Sequence, residues 1–580
     1  MNMHTALARH VSKQELWQTI QWLTRETPYR LAGSPCQEKA AQYIMQRMEQ
    51  YGLEVTNERF FAYNSEPMYS SLEITSPISE KLDSLPCAHI RATDPEGQEL
   101  ELVYVGSGSY EAYQNLDVSN KMVLTEVSYA PPVPEKARIA AEMGAAGMIC
   151  MNWGNDEEVI CHRGLKGVWG NPTEETFPKI PDIIGIGVTR GAGLKLKALC
   201  QSGQRVMVKV TAVSDRKWSL LSQPFGILRG NGRSDEFLLV CSHLDAWQPG
   251  VTCNATGNAT TLEICRILAE NREKLDRDIH FVFWNGHEIA EAAGSTWFVD
   301  NHWDQLNKHC VGYMHIDSTG VRDTQLFEIK ASEELLEFAA DNARQMLPGR
   351  ELRTMSLKKI GDQSFMGIGI PSITQRMSFT KEYMDHAHGA TLGWWNHTKE
   401  DGLDKCDQDI LELDTQVTLQ VLYNLATAEI LPYDFTGKLA ELRRRVGELK
   451  ERFGTHIDFS DLLVNLDEAA QEVASVQAMG TQCTGERAEL YNEYVKGISR
   501  CLTNVTLTYA DKYAQDSYGY GKLSYPIPLL ADLDRLDKMR PDCLEYGLIQ
   551  TQLVRNKNRI NDALYQINAL TRLTKLVLVK

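Results

Sequence analysis

The sequence predicts an α/β protein, a mixed sheet flanked by helices, with a β-rich module inserted early and a helical region at the end. Three observations lead there. Between 219 and 431 apolar runs alternate with amphipathic segments of helical period, the pattern of a layered sheet and its covering helices. Between 66 and 218 the runs are shorter, strand-like and broken by many turn residues. After Pro432 the periodicity is helical almost throughout.

In chain order, 13–53 reads as two helices, the second with Ala41, Ile44, Met45 and Met48 on one face, separated by a turn at 30–34. The inserted module offers strands at 102–105 and 122–124, a helix within 134–143 ending at Gly144, and a buried strand at 147–150. More strands and one helix follow within 180–213. The α/β part has strands at 237–240, 279–284, 310–316 and 371–374, with a helix at 260–273. Helices are expected at 436–453, 461–477, 485–514 and 548–575. This divides the chain into 1–65 with 219–431, an insertion at 66–218, and a helical domain at 432–580.

The 580 residues are several times the ~150 of one domain, enough for separate cores. Hydrophobic residues at 43% and charged residues at 24% match a folded soluble protein rather than a disordered one. With 60 Lys+Arg against 77 Asp+Glu, the net charge of -17 has the wrong sign for neutralising phosphates, so nucleic acid is not an expected partner. No apolar stretch approaches the ~18 residues that span a bilayer, and residues 1–16 have no signal-peptide core, so no membrane is expected. Thirteen scattered cysteines without a CxxC pair read as thiols of a reducing compartment, and the expected location is cytoplasmic.

Three strands deliver ligand-type residues to one edge of the sheet, where ligand sites of α/β folds gather. The first ends at His243 and Asp245, where the Asp is expected to orient the imidazole while His243 bonds a metal. The second runs into His287 and Glu288, the third into Asp317. Cys253 sits in a polar loop, 250–257, just before a helix, where a thiolate is favoured. Trp394, Trp395 and His397, with Lys399, Glu400 and Asp401 after them, supply a further histidine in a loop.

Taken together, these stretches resemble the co-catalytic zinc exopeptidases, the family of aminopeptidases, glutamate carboxypeptidase II and the transferrin receptor. The resemblance rests on His243-Leu244-Asp245-Ala246-Trp247, the loop 250–257, Trp284 to Glu288 with Gly294-Ser295, Asp317, and His397-Thr398. The turn at 30–34 and Gly361-Asp362-Gln363-Ser364-Phe365 are also similar, though Gln363 stands where the family often has histidine. The resemblance implies a phosphorylase/hydrolase-like fold, a protease-associated domain at 66–218 (Asn120 to Leu124, Gly144 to Gly147), and a helical dimerisation-like domain, hence a homodimer. It also implies a metal held by His243, Cys253 and Asp317, and another held by Cys253, Glu288 and His397.

Two positions depart from the family. Cys253 stands where the family has a bridging carboxylate, and His287 where it has the glutamate base. A thiolate bridges through one atom or binds one ion and prefers softer metals, so one or two zinc ions are expected, with iron or cobalt as alternatives. Imidazole titrates near ~6.5 and can serve as base, or His287 can be a ligand. Three readings stay open: a metal-dependent hydrolase acting on an amide or short peptide, a repurposed metalloenzyme acting on a non-peptide small molecule, and an inactive binding scaffold. Arg376 is a candidate for a substrate carboxylate, Trp394 and Trp395 for the pocket wall, and His386 and His388 for second-choice ligands or pocket groups. Four tyrosines within 509–520 lie in a loop or the substrate pocket.

Overall fold

The computed structural model describes residues 7–155, 158–516, 522 and 524–579. At its centre three parallel strands, Phe237–His243, Asp278–Trp284 and Cys310–His315, are buried along nearly their whole lengths, which is why they read as unbroken apolar runs. Ser372–Ser378 continues the parallel set beside Cys310–His315. Leu326–Ala331 then pairs antiparallel with it, and Leu352–Ser356 closes that side. The sheet is therefore mixed. The helix Thr256–Ala269 is buried on almost every residue, consistent with its packing between the sheet and the N-terminal helices Lys13–Glu26 and Pro35–Gln50. Ser12 and Ser34 cap those two helices through their side chains.

Two long strands, Glu54–Ser76 and Met207–Leu228, pair antiparallel from Glu54↔Ile227 to Ser76↔Met207. One end of Met207–Leu228 pairs with Asp278–Trp284 and the other with Gln98–Tyr104, so a single 14-stranded sheet runs from the α/β part into the insertion. The boundaries read at 65/66 and 218/219 fall inside this ribbon. The insertion has its own apolar core, built on Met122–Glu126, Gly147–Met151 and Ile184–Val188.

The helical region comprises Phe435–Phe453, Ser460–Gly480, Glu486–Leu507 and Leu544–Leu578, with apolar residues continuous with the core of the α/β part. The helix expected to reach residue 514 stops at Leu507, because the Asp516 carboxylate accepts the N–H groups of Tyr509 and Ala510 and turns the chain away. Tyr509 and Tyr513 lie in that loop. Tyr518 and Tyr520 lie outside the described residues.

Candidate metal centre

The register of the parallel strands sets His243 beside Trp284 and His315 beside Cys241, so the chain leaves all three strands at one edge. His243 is fully buried, and its Nδ1 lies 2.8 Å from the backbone oxygen of Asp245, which turns Nε2 toward the site. That Nε2 is 3.4 Å from Asp317 Oδ1 and 3.7 Å from Cys253 Sγ.

The turn Val251–Ala255 holds Cys253 from two sides. The Asp401 carboxylate accepts from Thr252 N and Oγ1 at 2.9 and 2.8 Å and from Cys253 N at 3.2 Å. Asn254 accepts from Gly257 N at 3.0 Å and Ser318 N at 3.1 Å, tying the turn to the Asp317 loop. A Cβ on Gly257 would lie 2.2 Å from Asn254 Oδ1, so this position requires glycine. On the far side of the sulfur, Glu288 Oε1 is 3.5 Å and His397 Nε2 3.4 Å from Sγ, with Glu288 Oε2 3.2 Å from His397 Nε2. His243, Asp317, Glu288 and His397 thus gather around one sulfur.

Asp245 differs from the expectation. Its carboxylate does not orient His243; it accepts the backbone N–H groups of His287 and Glu288 at 3.0 and 2.9 Å, and its backbone oxygen does the orienting. It therefore shapes the loop that presents Glu288. His287 stacks on His243 with ring centroids 3.8 Å apart, and its Nδ1 lies 2.9 Å from Asp362 Oδ2. Ser295 donates to the other Asp362 oxygen at 2.9 Å. His287 is outside the group His243, Cys253 and Glu288, whose ligand atoms lie within 4.8 Å of one another among the described residues.

Burial, with the Glu288, Asp317 and Asp401 carboxylates, pushes the Cys253 thiol well above its ordinary range. The thiolate expected from the nearby helix N-terminus is not favoured by the protein alone, because desolvation and three carboxylates outweigh the end of a helix that starts at Thr256. Burial would raise Glu288, but His397, His287 and His243 bring it down to about 2. Burial would lower His287, but Asp362 holds it well above the usual range. At Asp245, burial dominates and lifts the carboxyl to about 6.

The donors fit a zinc ion. Tetrahedral bonds of about 2.3 Å to sulfur and about 2.0 Å to nitrogen put such donors roughly 3.5 Å apart, and oxygen donors are similar. The separations from Sγ, 3.7 Å to His243, 3.5 Å to Glu288 and 3.4 Å to His397, match that spacing. A buried sulfur among carboxylates is also a site where a cation offsets what the protein leaves uncompensated.

A cavity of about 700 Å³ opens onto Cys253, His287, Glu288, Asp317 and His397. Arg376 lines it, and its Nη1 donates to the Asp317 backbone oxygen at 2.6 Å. Lys330 and Arg353 share that wall across neighbouring strands. The tryptophans do not wall it. Trp395 is buried behind the Cys253 turn, donating to Thr252 Oγ1 at 3.2 Å, and Trp394 packs near Trp153 of the insertion, because both face back from the His397 turn. His386 and His388 are exposed at the end of the short helix Lys381–His386 and take no part in the site.

Three participants were not picked out from the sequence as site residues. Asp362 carries a signal in its Gly361-Asp362 turn, but its pairing with a residue 75 positions earlier does not. His315 precedes Asp317 by two, hence the same side of an extended strand, and its buried Nε2 points toward Asp362 at 3.8 Å. Asp401 follows His397 by four, yet its partners lie about 150 positions away.

Residues 225–422 match peptidase family M28, and residues 98–196 match the PA domain. Over 555 residues the chain is 23% identical to a Zea mays protein named a probable glutamate carboxypeptidase, covering 83% of this chain and 76% of that one. It is 25% identical to human transferrin receptor protein 2 over 260 residues, covering 40% of this chain and 31% of the receptor. Among solved structures, a zinc aminopeptidase from Bacillus subtilis superposes with a TM-score of 0.56 at 19% identity, covering 72% of this chain and 96% of that one.

Proposed function

We propose that this chain, whose α/β domain belongs to peptidase family M28, hydrolyses an amide or peptide-like bond of a small substrate at a metal site rebuilt around Cys253 and His287. The supporting observation is the gathering of His243, Glu288, Asp317 and His397 about the Cys253 sulfur, at spacings suited to a bound ion. Zinc bound there would supply Lewis acidity toward a carbonyl oxygen and lower the pKa of water. His243, Cys253, Glu288, Asp317 and His397 would hold it, as one ion or two, and the sulfur would also suit iron or cobalt.

His287 takes the glutamate's place as proton acceptor. Its Nδ1–H is donated to Asp362, which fixes the ring and, in the metal-free protein, favours its charged form; the positive charge of a bound ion would oppose that charge, leaving Nε2 to take a proton from water and return it to the leaving amine. Asp245 orients the His287–Glu288 backbone. The wall formed by Arg376, Arg353 and Lys330 carries one more positive charge than its Glu328 and Asp317 partners offset, which favours a substrate with a carboxylate.

A second reading, different metal chemistry on a non-peptide molecule, draws on the same sulfur and imidazole. C253D, H287E and the double variant, assayed on peptide and acyl-amino-acid panels with metal analysis of protein purified without added metal, separate the readings. Loss of a native amidase activity by roughly 10²-fold or more in either single variant supports the first. Peptidase activity gained only by the double variant supports the second. Protein that takes up no metal and cleaves nothing overturns both in favour of a binding scaffold.

We also propose a cytoplasmic homodimer. Thirteen unpaired cysteines support the compartment, and no helix among the described residues is long and apolar enough to cross a membrane. Exposed Leu544, Leu548, Leu573, Leu576 and Val577 on the last helix support self-association.

A further inference from the structure

The turn that follows Glu288 is conformationally costly. Glu291 and Ala292 both adopt left-handed backbone angles, φ 53° and 59°, without being glycine. Each such residue is unfavourable by itself and persists only where its surroundings impose it. Here the surroundings belong to the inserted domain. His89 Nε2 donates to the oxygen of Ile289 at 2.6 Å, Lys166 Nζ to that of Ala290 at 2.8 Å, and Gly170 N to that of Glu291 at 2.7 Å. Three consecutive carbonyls are therefore held from across the domain boundary. The same segment reaches the other ligand turn: His162 N donates to His397 O at 2.9 Å and Cys161 Sγ to Asn396 O at 3.1 Å.

Lys166 is the most telling of these groups. It is fully buried, and its two hydrogen-bond acceptors are backbone oxygens, of Tyr63 and Ala290, rather than a carboxylate. The Glu291 carboxylate favours the Lys166 charge, but less than burial opposes it, so packing alone would favour an apolar side chain there. Burial lowers Lys166 to about 7, the same cost in another form. What the amine provides and an apolar group cannot is a donor to the turn.

We propose that the inserted domain is a working part of the metal centre, with Lys166 and His89 as positioning residues that hold the strained 289–292 turn and thereby Glu288 at the sulfur. The proposal rests on the reading that Cys253 holds a cation. On the opposite side, His243 and Asp317 are set by the sheet and by Asn254, so only the Glu288/His397 half depends on the brace.

The test is cobalt(II) titration of metal-free, full-length protein, followed by the visible absorption that a thiolate–cobalt bond adds. K166M and H89F are expected to bind cobalt about 10–100-fold more weakly, the usual effect of removing an outer partner of a metal ligand, and K166R to recover most of the loss. Thermal melting of the metal-free variants separates a loss of fold from a loss of ligand placement. Wild-type affinity in folded K166M and H89F overturns the proposal, and if K166M fails to fold, H89F decides alone. Failure of both to fold also overturns it, since the contacts would then serve the domain junction. Wild-type protein that takes up no cobalt instead defeats the metal reading itself.

Discussion

Asp362 receives the Nδ1 proton of His287 and a hydroxyl from Ser295, and it touches none of the donors around Cys253. Its two roles can therefore be separated by substitution. D362N, which removes the charge that orients and polarises the His287 ring, is expected to lower turnover by roughly 10²–10⁴-fold, the range general-base catalysis supplies. Cobalt uptake by D362N should match the wild type. Steady-state kinetics on any cleaved substrate, beside a cobalt titration, check both halves, and unchanged turnover removes His287 from proton transfer. Asp245 and Asp401 show why residue roles were only partly legible. Each stands close in the chain to a ligand histidine, His243 or His397, but what they bind lies 42 to 149 positions away, in loops whose meeting depends on the fold. The reading that Cys253 and His287 stand in place of family carboxylates rests on the flanking residues, which resemble the family on both sides. The orientation of Trp394 and Trp395 was not, since an aromatic pair beside a ligand histidine can face either way until the turn is built.

Among the elements, the strand Asp278–Trp284 carries a group sensitive to acid. His280 is buried, stacked on Phe237 with centroids 3.9 Å apart, and burial, with Arg229, holds it at about 3. Unfolded, it titrates near ~6.5, so this residue's contribution to stability is present in full above that value and is lost as pH falls toward 3. H280F has no such loss. Relative to wild type it should gain about 2–3 kcal/mol between about pH 7 and about pH 4.5, read from denaturant unfolding at the two values. A constant difference contradicts a buried neutral imidazole. The strands around it were readable because parallel strands covered on both faces become uninterrupted apolar runs. The ribbon Glu54–Ser76 with Met207–Leu228 was not readable at its true length. Much of it is open to solvent, and polar residues such as Asn64, Ser65 and Ser214 interrupt the pattern. The helix ending at Leu507 was read too long because Asp516, which terminates it, acts through a loop rather than through a local cap.

At the scale of the whole molecule, the proposed homodimer predicts a light-scattering mass near twice the 65.4 kDa chain at micromolar concentration. A stable monomer there withdraws the role given to the exposed face of Leu544–Leu578. The ribbon has a consequence for what can reach the sulfur. One strand is hydrogen-bonded at one end to the central sheet and at the other to the insertion, while its long partner accompanies it from end to end. Swinging the insertion outward would tear that lattice rather than bend a linker. Pro132, Val133, Arg163 and Gly164 of the insertion, which line the cavity, are therefore expected to keep their places as molecules come and go, rather than to lift away like a lid.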